Sequence, residues 1–178
     1  MASSDILQRF TFENSHVRGE LVGLKQTLAD IMQRQTYPEP VNDLLGELLV
    51  AAALLSATVK IEGLLTLQVQ TNGPIRVLLA ETTHDGKLRG IARLDEDHDL
   101  TEGNLLGDKG QLVITMEPEK GRKYQGIVAL DGDNLSKCLE GYFKQSEQLA
   151  TRIWLGCENG VAAGFLLQEL PELGEVQE

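Results

Sequence analysis

Hydrophobic and polar positions alternate from the start of the chain. In DILQRFTF, Ile6, Gln8, Phe10 and Phe12 alternate with Leu7, Arg9 and Thr11, a period of two that predicts a strand, and ENSH turns it. VRGELVGL, from Val17, predicts a second strand. The period then lengthens. Leu24, Leu28, Ile31 and Met32 fall at helical spacing, and Pro38 and Pro40 end that helix while starting the next. The second helix, from about Val41 to Thr58, is apolar nearly all round: Leu44, Leu45, Leu48, Leu49 and Ala51 to Leu55 leave little polar face after Glu47. Sheet or partner must cover it on most sides, which makes Leu45, Leu48, Leu49 and Leu55 core candidates.

From Lys60 onward the pattern returns to strands and turns. LLTLQVQ meets IRVLLAE across Asn72-Gly73, and RVLLAE meets LRGIARL across HDGK. Asn-Gly and Asp-Gly tolerate the positive φ that tight hairpins demand. QLVITME and YQGIVAL predict a further hairpin around PEKGRK, and TRIWLGC pairs with VAAGFLLQ across ENG. Between these two hairpins, after DGD, Leu135, Cys138, Leu139, Tyr142 and Phe143 form the stripe of a short helix. The order is α+β rather than repeating βαβ: curved antiparallel or mixed sheets around the long apolar helix, with this second short helix and hairpins.

Two octapeptides, LRGIARLD from Leu88 and YQGIVALD from Tyr124, are nearly the same, and VRGELVGL and AAGFLLQE share a Gly at the third position. Neither octapeptide contains a nucleophile, a histidine or a metal ligand. A Gly inside a strand marks a bulge, a bend or the close approach of another group, so Gly90 and Gly126 are expected at equivalent places in related sheet segments.

Composition narrows the function classes. A chain of 178 residues supports one sizeable core, and with aromatics at 4% aliphatic packing must dominate it. The net charge of −11 argues against nucleic acid, whose binding depends on Lys and Arg displacing counterions, and against anionic membranes. The run LLVAAALLSATV, Leu48 to Val59, is about half of what a bilayer-spanning helix needs, and MASSDILQRF reaches Asp5 and Arg9 before any signal-like apolar region forms. A cytoplasmic protein is the expectation.

Candidate chemistry is sparse. DEDHD, Asp95 to Asp99, begins like a calcium loop, but Leu100 replaces its turn glycine and Leu106 its bidentate Glu. His84 and His98 lack the spacing of a metal pair. EGNLLGDKGQ lacks the phosphate-loop signature and any following helix. Cys138 sits on an apolar stripe as a buried thiol, and Cys157, before a turn, has no basic neighbour in sequence to activate it. The KGRKY tip is a solvated basic turn. No hydrolase, zincin or acid–base signature is present, so no enzyme is expected.

FENSHVRGELV, YPEPVNDLLGELLVAAALLSATVKIEG, LRGIARL, YQGIVAL, CLEGYFKQSEQLATRIWL and AAGFLLQELP, taken in order, resemble the bacterial redox-regulated 33 kDa heat-shock chaperone family, the 33 kDa chaperonins, nearly end to end. The resemblance implies that residues 1–178 are the family's N-terminal core, with a linker beginning near residue 170. The family's C-terminal zinc domain, with its C-x-C and C-x-x-C motifs, has no counterpart in this sequence. No catalytic, cofactor-binding or metal residue is therefore expected, and the redox switch is not carried over. The implied function is an ATP-independent holdase that binds unfolding proteins through apolar surface under oxidative and heat stress, constitutively active in this form. Its implied partners are unfolded clients and a second copy, with unpaired strand edges offering a route to dimers by exchange of elements. No apolar residue is singled out as a client contact. A structural self-association module and a small-molecule enzyme with a composite site are the alternatives.

Overall fold

The computed structural model describes residues 4–130 and 134–171. DGD at 131–133 and the expected linker stretch after Pro171 lie outside them. Strands β1 (Ile6–Thr11) and β2 (Val17–Leu24) precede helices α1 (Gln26–Arg34) and α2 (Glu39–Val59). Five strands follow: β3 (Gly63–Thr71), β4 (Ile75–Thr83), β5 (Leu88–Leu94), β6 (Gly110–Pro118) and β7 (Tyr124–Ala129). Helix α3 (Leu135–Tyr142) runs into a π-helical turn over Phe143–Glu147, and the hairpin β8 (Thr151–Glu158) and β9 (Val161–Glu169) closes the chain. All pairings are antiparallel, in a four-stranded sheet ordered β1-β2-β9-β8 and a five-stranded sheet ordered β5-β4-β3-β6-β7.

Leu24, expected in the first helix, instead ends β2, where it pairs with Ala162 and is fully buried. The helix starts after it because the Asp5 carboxylate accepts from the backbone N–H groups of Lys25 and Gln26 and from the Thr27 hydroxyl, satisfying donors that a helix start leaves unpaired.

Pro38 is the N-cap of helix α2 and Pro40 lies in its first turn, where a missing N–H costs nothing. Its Leu- and Ala-rich interior favours helix. It stops at Lys60, which turns left-handed at φ 52° and donates its N–H to Ser56 O. Among the described residues it is the one helix long and apolar enough to cross a membrane, yet it lies between the two sheets, against β2, β8 and β9 on one side and β3, β4 and β5 on the other. Leu45, Leu48, Leu49 and Leu55 are all fully buried.

The glycines set how closely α2 approaches. A Cβ at Gly90 would stand 3.2 Å from Leu45 Cδ1 and Leu49 Cδ2, and one at Gly164, on the other sheet, would strike Val50 and stand 3.0 Å from Leu54 Cδ1. The repeated octapeptides form β5 and β7, the two edges of the five-stranded sheet. Register places Gly90, Ala80, Leu67, Ile114 and Gly126 in one cross-strand row, symmetric about β3. Gly90 admits α2 there, and Gly126 admits Tyr142 of α3, whose Cε2 lies 3.3 Å from the position a Cβ would take.

Three of the four Gly-containing hairpin turns use positive φ: Gly86 (84°) after Asp85, Gly121 (114°) in PEKGRK, and the Asn159-Gly160 pair (52° and 76°). Gly73 does not. It is required for another reason: a Cβ there would lie 2.6 Å from Leu106 C, because the loop that follows β5 folds over this turn and Leu105 O accepts the Ile75 N–H.

Candidate functional site

The outer face of the four-stranded sheet carries the chain's most unusual surface. Strand β1 is amphipathic, but its apolar parity points away from the core. Its inward parity supplies Arg9, which donates from Nη2 to Ala57 O at the C-terminal end of α2. Arg18 of β2 donates to Thr58 O at 3.3 Å and to Gln168 Oε1 at 2.6 Å, and Thr58 donates to the buried carboxylate of Glu20. These arginines meet carbonyls that the helix end leaves unpaired and complement its negative dipole end. Burial pushes the Glu20 carboxyl above its usual range, opposed by its hydrogen bond from Thr58 and the charges of Arg9 and Arg18.

With polar groups turned inward, the outer face becomes aromatic. Phe10 lies across Gly19 and stacks on Phe165 at 5.6 Å between ring centroids; Phe12 meets the edge of Phe10 at 5.6 Å, and Trp154 meets Phe165 at 5.5 Å. The ribbon thus crosses all four strands. It uses three of the chain's four Phe and its one Trp. Among the described residues no helix packs on it: Phe12 is 48% exposed and Trp154 52%, with Ile6, Leu21 and Val161 exposed around them. The outer face of the five-stranded sheet, by contrast, intersperses Thr66, Gln68, Thr115, Glu81 and Arg89 among its apolar residues.

The sequence's chemical candidates do not converge. Asp95 pairs with Arg76 at 2.6 Å and with His98 at 3.1 Å, and the hydrogen bond from Arg76 holds its carboxyl below the usual range. His84 lies on a different turn, where its N–H bonds Gly63 O. In the KGRKY tip, Lys123 pairs with Glu117 at 2.7 Å. Cys138 is buried under α3, its thiol 3.4 Å from Ala129 O. Cys157 lies against α2 at Gly46, and burial, then the Asp43 and Glu47 carboxylates, push its thiol up to about 12. Such a thiol stays protonated at neutral pH and is a poor nucleophile or ligand. Among the described residues no three His, Cys, Asp or Glu side chains gather to hold a metal.

The sequence reading passed over the aromatic face. Its signal was present in β2, β8 and β9, where ELVGL, RIWLGC and AAGFLLQ carry apolar residues at both parities. A strand apolar on both sides is buried on both or exposes one, and only the placement of α2 decides which.

The model of the Hsp33 protein family matches residues 5–178. The chain belongs to that family. A 33 kDa chaperonin of Hahella chejuensis is 52% identical over 169 residues, covering 94% of this chain and 59% of the relative. One from Pseudomonas savastanoi pv. phaseolicola is 49% identical over 173 residues, covering 96% and 58%. The crystal structure of a 33 kDa chaperonin from Thermotoga maritima superposes with a TM-score of 0.76 at 24% identity, over 91% of this chain and 60% of that one, and shares the fold. This Hsp33 family chain thus spans about three fifths of the length of the relatives it matches.

Proposed function

We propose that these residues form the client-holding core of an ATP-independent chaperone, with the aromatic face of the four-stranded sheet as the surface that captures unfolding proteins. The observation that carries this is the Phe12–Phe10–Phe165–Trp154 ribbon on a sheet face that no helix among the described residues covers. Contiguous exposed apolar area of this kind is unusual on a soluble monomer and marks an interaction surface. Burial of apolar groups is non-directional, so such a face accepts many sequences, as a holdase must. A net charge of −11 keeps loaded complexes mutually repelling. The relatives' naming as chaperonins supports the same reading. We place the protein in the cytoplasm and assign no redox control to Cys138 or Cys157, whose thiols are respectively buried beside Ala129 O and pushed up by burial. Homodimers formed through open strand edges belong to the same proposal.

Light scattering of a thermally unfolding client tests it. The protein is expected to suppress aggregation without ATP, with or without reductant, and after replacement of both Cys138 and Cys157 by Ser. The double variant Phe12→Ser/Trp154→Ser should lose protection while Ile127→Ser, 63% exposed on the other sheet, keeps it. Equal protection by all three proteins would sink the assignment of the face.

A further inference from the structure

We infer that β8 is a strand-addition edge, and that it takes extended polypeptide segments in which apolar and basic side chains alternate. This rests on the reading of the aromatic face as client-binding and says how a client would be held there.

Among the described residues strand β8 ends its sheet, paired only with β9. Its open edge is identified by one contact: Ile153 N–H donates to Glu140 Oε1 of α3 at 2.9 Å, so it points away from β9. In a regular strand the peptide groups of alternate residues share a side, and the β8–β9 register runs unbroken from Thr151 to Glu158. The N–H and C=O groups of Leu155 and Cys157 therefore face the same way as those of Ile153. Glu140 plugs the edge at Ile153, and among the described residues no backbone pairs with Leu155 or Cys157 on that side. Such a row is a template for another strand.

A groove of about 930 Å³ runs over this stretch. Gly156 leaves it a notch, since a Cβ there would meet nothing within 4 Å. Trp154 and Phe165 of the outer face line one part of the groove, and Asp43 and Glu47 of α2 line another. The two acids stand one helical turn apart, and neither has a cation paired with it among the described residues. Like charges at that spacing repel. An incoming strand presents successive side chains to opposite faces. One set would lie over Trp154 and the notch at Gly156, which favours apolar residues. The other would turn toward Asp43 and Glu47, which favours Lys or Arg.

The experiment uses a short peptide alternating Val and Lys, the same peptide with Glu for Lys, and two forms of the Lys peptide N-methylated on alternate residues of one or the other parity. Binding is read from the fluorescence of Trp154, the chain's one Trp. The Lys peptide is expected to bind about tenfold more tightly than the Glu peptide, as two attractive pairs replace two repulsive ones, and Asp43→Asn/Glu47→Gln should remove most of that preference, leaving the part due to the chain's overall negative charge. N-methylation of one parity should abolish binding and of the other leave it intact, since only alternate N–H groups of an added strand meet β8. Equal effects of the two parities, or no charge preference, would overturn the proposal. So would sedimentation in which β8 pairs two copies of the chain and the peptide fails to separate them. The two readings fail separately: loss of protection by Phe12→Ser/Trp154→Ser without parity dependence keeps the face and removes the edge, and the converse keeps the edge and removes the face.

Discussion

Gly164 and Gly156 lie on neighbouring strands of one hairpin, and their replacement by Ala should move stability in opposite directions. Both changes remove a glycine from a strand interior, which relieves roughly 0.5–1 kcal/mol of chain entropy in either case. Only one adds a clash. The methyl group of Gly156→Ala enters open space, whereas that of Gly164→Ala meets Val50, Leu54 at 3.0 Å and Leu155 at 3.1 Å, between sheet and α2. Overpacking of this kind costs about 1–3 kcal/mol. Because the entropic relief is common to both, the difference between the two variants isolates the steric effect of the α2 seat. For a chain of this size that difference corresponds to a gap in Tm of about 2–12 °C. Thermal unfolding followed by circular dichroism, with wild type alongside, measures it. Gly156→Ala should melt slightly above wild type and Gly164→Ala below it. If the two shift together by the same amount, α2 does not press on β9 at Gly164 as described, and the packing argument for the repeated glycines fails with it.

Other outcomes follow from the same geometry. Leu48 is fully buried on α2, so Leu48→Ala should cost about 2–5 kcal/mol in denaturant unfolding, and an unchanged midpoint would contradict its central place. Burial first and Asp43 second raise the Glu47 carboxyl above its usual range, so its folded pKa exceeds its unfolded one. The charged form therefore weakens the fold fully above the folded pKa and not at all below the unfolded value. Glu47→Gln should raise Tm at about pH 7.5 and leave it unchanged at about pH 4, and the reverse order would refute the sign. With its thiol pushed up to about 12, Cys157 should react with a thiol reagent at neutral pH far more slowly than free cysteine; reaction at the free rate would show that it is not held against α2.

The elements of this fold were legible in the sequence where period and punctuation agree: the α2 run with its two prolines, the Asp85-Gly86 and Asn159-Gly160 turns, and the repeated Gly90 and Gly126 segments. Three features were not. Leu24 fits a helical stripe by spacing, but the Asp5 carboxylate fixes the helix start after it from 20 residues away in sequence. Gly73 reads as a positive-φ turn residue, but its actual constraint is the distant loop at Leu106. Strand β1 inverts the usual rule that the apolar parity is buried, because α2 ends on that side with carbonyls in need of Arg9. The aromatic face follows from that inversion, so it could not be read from any one strand. It needed the position of a helix end some 48 residues further along the chain.

The central claim, that the four-stranded sheet's outer face holds clients, is tested most directly by photo-crosslinking. A photoreactive residue placed at Leu21, at the centre of the face, and separately at Ile127, on the outer face of the other sheet, is activated while a client protein unfolds. Strong adducts with the unfolding client from position 21, few from position 127 and none from either with the folded client are the expected result. Adducts that form chiefly from position 127, or equally from both, would contradict it.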